Sequence, residues 1–356
     1  MVAMDGQDNT ALPPAPGSAA FVTGGSGFVG RRLIADLVAR GCQVRALARS
    51  PASAEVVRRR GAVPVSGDLA DIATMTKGMH GCGVVFHAAA KVALWGDWKD
   101  FERETVQGTA NVIEAARAAG VPTLLHVGTE AVLADGGPII DADETRPIPS
   151  HPNGPYPRSK ALAEQLVRAA NGPGLRTVVV RPRFIWGEGD TSLLPVLAAA
   201  MKAGTWIWFV DRHHRMSTCH VANVSHGMML AAERGRGGEV YFLTDGEPVD
   251  FAAFITRMVA TQGVTPPRWG APLWVADAIA AAAEAAWSVA GPLTGTEPPL
   301  SKTAVNLFFR EVTVRDAKAR RELGYAPVIS IDEGMQGLAR VGAVPAGAVT
   351  ESMPAG

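Results

Sequence analysis

Along the chain, short apolar runs alternate with stretches in which apolar residues return every third or fourth position. Residues 19–23 form the first run, which ends in a glycine cluster, and Leu33, Ile34, Leu37 and Val38 then recur at helical spacing until Gly41. Further strand-like runs lie at 44–48, 62–65, 84–86, 123–127 and 177–180, with Pro64 tolerated at a bend or edge. Helical patterns occupy 106–119 and 159–169 between them. Strands alternating with helices predict βαβ units and a mostly parallel sheet of the α/β class. Beyond about residue 190 the alternation breaks down, and helical segments at 193–203, 223–232 and 251–262 mix with short strands such as 239–243. The expected division is a parallel-sheet domain over 18–190 and a smaller α+β lobe over 191–341, packed at the carboxyl edge of the sheet. Residues 1–17, rich in Pro, Gly, Asp and Ala, and residues 342–356 read as disordered tails. The first tail has neither the basic nor the apolar region of a signal peptide.

The glycine cluster adds chemistry to this outline. Gly24-Gly25-Ser26-Gly27-Phe28-Val29-Gly30 closes the first run and opens the first helix. Gly24 permits the tight turn, Gly27 lets backbone approach a pyrophosphate, and Gly30 lets helix and strand pack closely, with the helix amino end facing the phosphates. A glycine pattern alone is a weak signal, but here it has the strand–turn–helix setting that a dinucleotide site requires. The expected fold is therefore a Rossmann-type doubly wound sheet. Its second strand ends Ala48-Arg49-Ser50, with no acid to hold a ribose 2′-hydroxyl. Arg49 can instead pair with a 2′-phosphate, assisted by Arg31 or Arg32, which favours NADP(H) and leaves NAD(H) as the second choice. Asp68-Leu69 is placed to meet an adenine edge, and Asp68 can equally cap the helix from Ile72 onward. His87-Ala88-Ala89 ends the fourth strand with small residues that leave room for cofactor, His87 being equally readable as a core histidine. Thr23, Ser26, Phe28, Val29 and Lys91 complete the expected cofactor-binding set.

Tyr156-Pro157-Arg158-Ser159-Lys160 sets a phenol and an ammonium four residues apart, on one face at a helix start. A tyrosine of ordinary acidity is too weakly acidic to accept a proton readily at neutral pH, and a neighbouring cation favours the phenolate. Tyr156 can then take a hydroxyl proton as hydride leaves, or give one to a ketone in the reverse direction, while Lys160 also holds the nicotinamide ribose. Thr129, at the end of the fifth strand, is expected to orient the substrate oxygen by donating a hydrogen bond.

With these motifs in hand, the chain resembles an extended short-chain dehydrogenase/reductase. TGGSGFVG (23–30), GDL (67–69), HAAA (87–90), GTEAV (128–132), YPRSK (156–160) and RPRFIWGEGD (181–190) stand in that family's order and spacing. The likeness covers about 19–341 and is greatest to the branch of 3β-hydroxysteroid and sterol-carboxylate dehydrogenases, which the later segments 220–224 and 318–325 also resemble. The resemblance implies that Thr129 replaces a catalytic serine, that Pro182 and Arg183 line the nicotinamide end, and that the protein is a homodimer. Three positions depart from the family. Thr105 stands where an asparagine is usual, which puts an asparagine-held proton relay in doubt. Arg49 follows the second strand where the branch has an acid, as in NADPH-using reductases of the superfamily. Met216 falls where nucleotide-sugar epimerases carry an arginine that clamps a diphosphate, with Arg215 one place off.

Composition acts mainly by exclusion. Lys+Arg and Asp+Glu are equal at 34 each, so no global field favours nucleic acid, an acidic substrate or anionic lipid. Cys42, Cys82 and Cys219 lie far apart, which fits a cytoplasmic protein without a disulfide framework. Trp186, Trp206, Ile207, Trp208, Phe209 and Met216 supply apolar bulk for a flat or long hydrophobic substrate, with Trp186 and Met216 as the candidate substrate contacts. Residues 211–215 with Cys219 and His220 could suggest a metal, but adjacent His213 and His214 would point to opposite faces of a strand, so none is expected. The apolar segment 271–291 holds Asp277 and Glu284, which argues against crossing a bilayer. It reads as a packed or dimer-contact helix, with weak peripheral membrane contact as the alternative. The function expected is NAD(P)-dependent interconversion of hydroxyl and ketone on a lipophilic compound, a 3β-hydroxysteroid if the branch is followed closely. The alternatives are a nucleotide-sugar epimerase or dehydratase with tightly bound NAD, and a non-catalytic NADP-sensing protein, which would have no need of Thr129, Tyr156 and Lys160.

Overall fold

Seven parallel strands carry the architecture in the computed structural model, which describes residues 17–209, 213–294, 298 and 300–342. Almost all of both expected tails, together with Asp211 and Arg212, lies outside the described residues. The strands are β1 (Ala19–Thr23), β2 (Gln43–Ala48), β3 (Val63–Ser66), β4 (Val84–His87), β5 (Thr123–Val127), β6 (Arg176–Pro182) and β7 (Val240–Leu243). They lie in the order β7-β6-β5-β4-β1-β2-β3, so the order reverses beside β1, where an open α/β sheet forms its ligand crevice. Both faces are buried, which explains why the strands read as continuous apolar runs. Ala20, Val22, Val84, Phe86, Leu125, Val127, Val178 and Val180 point to one layer. Phe21, Val85, Leu124 and Val179, at the alternate positions, point to the other.

Helices cover each face. On the first lie α1 (Phe28–Ala39) and a long helix, Val221–Arg234, whose Met228, Leu230 and Ala231 join the same core. On the second lie α2 (Gly108–Ala118) and α3 (Pro155–Ala169), contributing Val112, Ala115 and Val167. Instead of opening at residue 106, the helical stretch opens with the α-helical turn Trp98–Phe101, passes through a π-helix, Glu102–Gln107, and runs on into α2. Among the described residues the edge strand β3 pairs only with β2, which is where Pro64 is tolerable.

One boundary is corrected. The strand expected in the smaller lobe at 239–243 is β7, paired in parallel with β6, and helix Val221–Arg234 packs on the main sheet. The chain therefore returns to the sheet after residue 190 instead of leaving it. What stands apart is an aromatic core that includes Phe184, Trp186, Trp208, Phe209, Phe251 and Phe254. Beside it are a four-stranded sheet, α4 (Leu273–Thr294) and α5 (Lys302–Phe308). Asp277 pairs with Arg310 at 3.1 Å, and Glu284 accepts a hydrogen bond from the Lys302 amide at 2.7 Å, so the acids of α4 bind it to α5 and the residues that follow. No helix among the described residues is long and apolar enough to cross a membrane.

Candidate active site

The loop between β1 and α1 is built for close backbone approach. Gly24 has φ +71°, and a Cβ there would fall 2.7 Å from the Ala89 amide nitrogen. A Cβ on Gly30 would fall 2.2 Å from the Gly24 carbonyl oxygen, so α1 can meet the loop only without a side chain. Gly27 caps α1 with no side-chain hydrogen bond, which leaves the first amides of the helix to an anion. Gly24, Gly27, Gly30, the exposed Ser26, and Phe28 and Val29 on the first turn thus fit a pyrophosphate, and Ala88 and Ala89 flank the turn. Arg49 is exposed at the end of β2 and makes no ion pair or hydrogen bond among the described residues. Its expected helpers are engaged elsewhere, Arg31 with the Gly189 carbonyl at 2.7 Å and Arg32 with Asp36 at 2.8 Å.

Other members of the expected cofactor set support the loop from beneath. His87 is fully buried, bonded through Nδ1 to Thr23 Oγ1 at 2.7 Å and through Nε2 to Thr109 Oγ1 at 2.9 Å. His87 is thus placed as a core histidine, and Thr23 is likewise buried, accepting from the Ala89 amide. Lys91 turns its ammonium to Asp100 and Glu104, at 3.8 and 3.6 Å. Asp68 is exposed after β3 and bonds the Ala70 amide at 2.8 Å, while Asp71 caps the next helix in its stead. Leu69 packs against Gly108 of α2, where a Cβ would come within 2.8 Å of its side chain.

The residues expected to be catalytic converge at the carboxyl edge of β5 and β6. Gly154, at φ +104°, and Pro155 open α3, and a Cβ on Gly154 would fall 2.1 Å from Thr303 Oγ1. That contact brings α5 up to the start of the catalytic helix. A buried ion pair locks α3 to β6, with Arg181 donating to Glu164 at 2.8 and 2.6 Å. One turn of helix places half-buried Tyr156 and buried Lys160 on one face. Lys160 Nζ donates to the Val127 carbonyl at 2.7 Å, and burial lowers its ammonium to about 8, opposed by Glu164.

Thr129 caps a short 3-10 turn, Glu130–Leu133, accepting from the Ala131 amide at 3.2 Å. Its own hydroxyl donates to Glu130 Oε2 at 2.9 Å, so the donation to substrate expected of it is already committed. Glu130, 3% exposed, pairs through Oε1 with Arg183 Nη1 at 3.1 Å, and Arg183 also donates to the Leu307 carbonyl. Burial first, and Glu130 second, push the Tyr156 phenol up to about 12, with Thr129 and the Arg183 cation acting in the other direction. Glu130 and Arg183 thus bear on Tyr156 from outside the motif that pairs it with Lys160. Pro182 ends β6 at this edge and Arg183 follows it, both buried.

The wall beside Tyr156 is apolar. Tyr156, Leu94 and Phe308 pack on Ala131, Ala134 and Leu307. Phe184, at φ +42°, stands edge-on to Phe308 with ring centres 6.2 Å apart, a strained backbone of the kind found at functional sites. Trp186 and Met216, by contrast, are core. Trp186 is wholly buried, donates to Asp245 at 2.7 Å and stands edge-on to His220, and Met216 is 1% exposed on the small sheet. His213 bonds Asp250 at 3.0 Å while His214 stacks on Phe251, so the adjacent histidines serve different neighbours. Sequence reasoning missed the Glu130–Arg183 pair and the wall of Leu94, Leu307 and Phe308. The acid stood within the quoted GTEAV motif, but nothing local identified its partner.

The 3-beta hydroxysteroid dehydrogenase/isomerase family matches residues 21–273. The 4-hydroxy-2-methyl-3-oxo-4-farnesyl-3,4-dihydroquinoline-1-oxide ketoreductase of Stigmatella aurantiaca is 49% identical, covering 92% of this chain and 98% of its own. The 2-alkyl-3-oxoalkanoate reductase of Stenotrophomonas maltophilia is 34% identical, covering 89% of this chain and 97% of its own. Among solved structures, gox2253 superposes with a TM-score of 0.72 at 28% identity, over 91% of this chain and 99% of its own.

Proposed function

The chain belongs to the 3-beta hydroxysteroid dehydrogenase/isomerase family, and from that premise we propose that it reduces a ketone on a large apolar molecule, with NADPH as reductant. It is an oxidoreductase of the nicotinamide-dependent kind. The observation that carries the reading is Tyr156, set one helical turn from the buried Lys160 at the edge of an apolar wall. A phenol so placed gives its proton to a carbonyl oxygen in reduction and, as phenolate, takes one from an alcohol in oxidation; reduction is the direction the names of the two relatives support. The cofactor, when bound, supplies the hydride. Tyr156 Oη then gives its proton to the substrate oxygen, and Arg183 offsets the phenolate left behind. The Lys160 ammonium, anchored on Val127, is placed to hold a ribose hydroxyl with its remaining hydrogens. Leu94, Leu307 and Phe308 exclude water from the reacting carbon.

Two further observations support the details. The unpaired, exposed Arg49 suits a 2′-phosphate. The substrate class follows the two relatives, whose names describe reductases of 3-oxo compounds bearing a farnesyl or alkyl chain. The sugar-nucleotide alternative is disfavoured by Met216, an apolar core residue where a diphosphate clamp would be needed.

The test is the initial rate of NADPH and of NADH oxidation with a long-chain 2-alkyl-3-oxoalkanoate, in wild type and Arg49→Ala. The expected result is turnover with a clear preference for NADPH, reduced roughly 10- to 100-fold in the variant, as the loss of one charge-assisted hydrogen bond predicts. Equal use of both cofactors with no effect of the substitution would remove the Arg49 assignment. No turnover of the ketone, together with epimerisation or dehydration of a nucleotide sugar, would overturn the function.

A further inference from the structure

Helix α5 carries part of the wall beside Tyr156, and polar bonds fasten it at both ends to the backbone around the phenol. At its start Ser301, 3% exposed, accepts from the Ala304 amide, and its hydroxyl donates to the Leu94 carbonyl at 3.2 Å. Thr303, also buried, donates to the Asn153 carbonyl at 3.5 Å and lies against Gly154, where α3 begins. At the other end the last carbonyls have no partner within the helix. Arg183 supplies one, donating through Nη2 to the Leu307 carbonyl while Nη1 pairs with Glu130 Oε1 at 3.1 Å. Glu130 is itself held by the Thr129 hydroxyl at 2.9 Å. One guanidinium thus ties the last turn of α5 to the turn that follows β5, and both members of the pair are 3% exposed.

We propose that α5 decides which ketones reach Tyr156, and that Arg183 and Glu130 are the positioning residues that fix its distance from the phenol. The inference deepens the ketone-reductase reading and rests on it for the identity of the reaction. Leu307 and Phe308 are the apolar side chains that α5 presents to the site, where they meet Leu94 and Tyr156. The group they face is the apolar chain carried beside the substrate carbonyl. Each methylene of that chain adds to binding only while the wall stays in contact with it, since a gap of about 1 Å already forfeits up to roughly half of the dispersion attraction.

A buried ion pair is a costly way to join two elements, and apolar side chains of similar size would fill the space at less cost. What the pair adds is geometry. A planar guanidinium holds two acceptors at a set spacing and angle, which apolar packing does not do. The cation also stands at the carboxyl end of α5, the negative end of the helix dipole. Its guanidinium lies 5.7 Å from the centre of the Phe184 ring, and Phe184 stands edge-on to Phe308, so the same arginine frames the wall from behind. The first turn of α5 is held independently by Ser301, by Thr303 and by Glu284, which accepts from the Lys302 amide. Release at Leu307 would therefore free the last turn, which carries Leu307 and Phe308, and leave the start of the helix in place.

The test compares wild type with two variants. Arg183→Lys keeps a cation beside Glu130 but loses the fork that also reaches Leu307. The double variant Glu130→Met with Arg183→Met removes both buried charges and leaves no lone ion. Thermal melts would confirm that each is folded. The first readout is kcat/KM for NADPH-dependent reduction of 2-alkyl-3-oxoalkanoates whose 2-alkyl chain grows one methylene at a time. The second, which needs no turnover, is amide hydrogen exchange in peptides covering 302–309. In wild type kcat/KM should rise about fourfold for each methylene that reaches the wall. In both variants the rise should flatten to about twofold or less per methylene. Exchange at 302–309 should quicken about tenfold while that of the glycine loop stays as it was. A merely structural role would lower every rate together and leave the rise per methylene unchanged. That outcome, or unchanged exchange in the folded variants, would overturn the proposal. A wild type that reduces no ketone of the series would remove the functional reading and the specificity role with it, while quickened exchange in the variants would still show the latch.

Discussion

His87 and His126 show how the site is supported from below, one residue at a time. They sit side by side on β4 and β5, with ring centres 5.1 Å apart, and neither is exposed. His87 is tied to two threonines, while neither ring nitrogen of His126 has a hydrogen-bond partner among the described residues. Burial, and next the Lys160 cation, lower His87 to about 3, and the same causes with His87 added lower His126 well below the usual range. Both are therefore neutral in the fold. The unfolded chain takes up these protons near the ordinary histidine pKa of about 6.5, while the folded chain does not, so stability is full above that pH and falls as pH drops toward 3. Each histidine should remove about 1.4 kcal/mol per pH unit across that window. Denaturant unfolding at pH 7.5 and 5.0 should show the loss in wild type and a smaller one in His126→Leu; identical pH dependence in the two would contradict the account. At this scale the sequence was readable where neighbours along the chain decide. Tyr156 and Lys160 share a helix face by spacing alone, and the glycines of the loop declare their turn. The Glu130–Arg183 pair was not readable, because only the fold brings the two residues together.

Among the elements, α3 matters most for the chemistry, since it carries Tyr156 and Lys160 and must hold its place against β6. Glu164 and Arg181, both 2% exposed or less, provide that hold. Glu164→Ala would leave Arg181 a buried cation without its partner, a change that costs about 3–5 kcal/mol, whereas apolar replacement of both should cost far less. Urea unfolding of the single and double variants measures this directly, and a single variant within about 1 kcal/mol of wild type would show that the pair is not the lock. Strands were legible as elements because two-sided burial makes them short continuous apolar runs. Their partners were less so. Val240–Leu243 is such a run, but it follows a region of mixed pattern, and nothing local revealed that helix Val221–Arg234 carries the chain back to the sheet. The aromatic residues at 186 and 206–209 misled for a related reason: large rings line pockets and fill cores alike, and Trp186 here bonds Asp245 inside the core.

Taken whole, the molecule joins a seven-stranded parallel sheet to an aromatic-cored lobe, and the candidate active site lies where the two meet. The sheet sets the glycine loop, Thr129 and the end of β6 along one edge, α3 brings the phenol to that edge, and α5 closes the apolar wall through Leu307 and Phe308. The claim that this assembly reduces a ketone is tested most directly by following the hydrogen itself. NADPH carrying deuterium at the transferable position of the nicotinamide would be incubated with a long-chain 2-alkyl-3-oxoalkanoate, and the product examined by mass spectrometry. The account predicts one deuterium on the new carbinol carbon with wild type, and a rate lower by about 100-fold or more in Tyr156→Phe with NADPH still bound. A product without deuterium, or an undiminished rate in Tyr156→Phe, would contradict it.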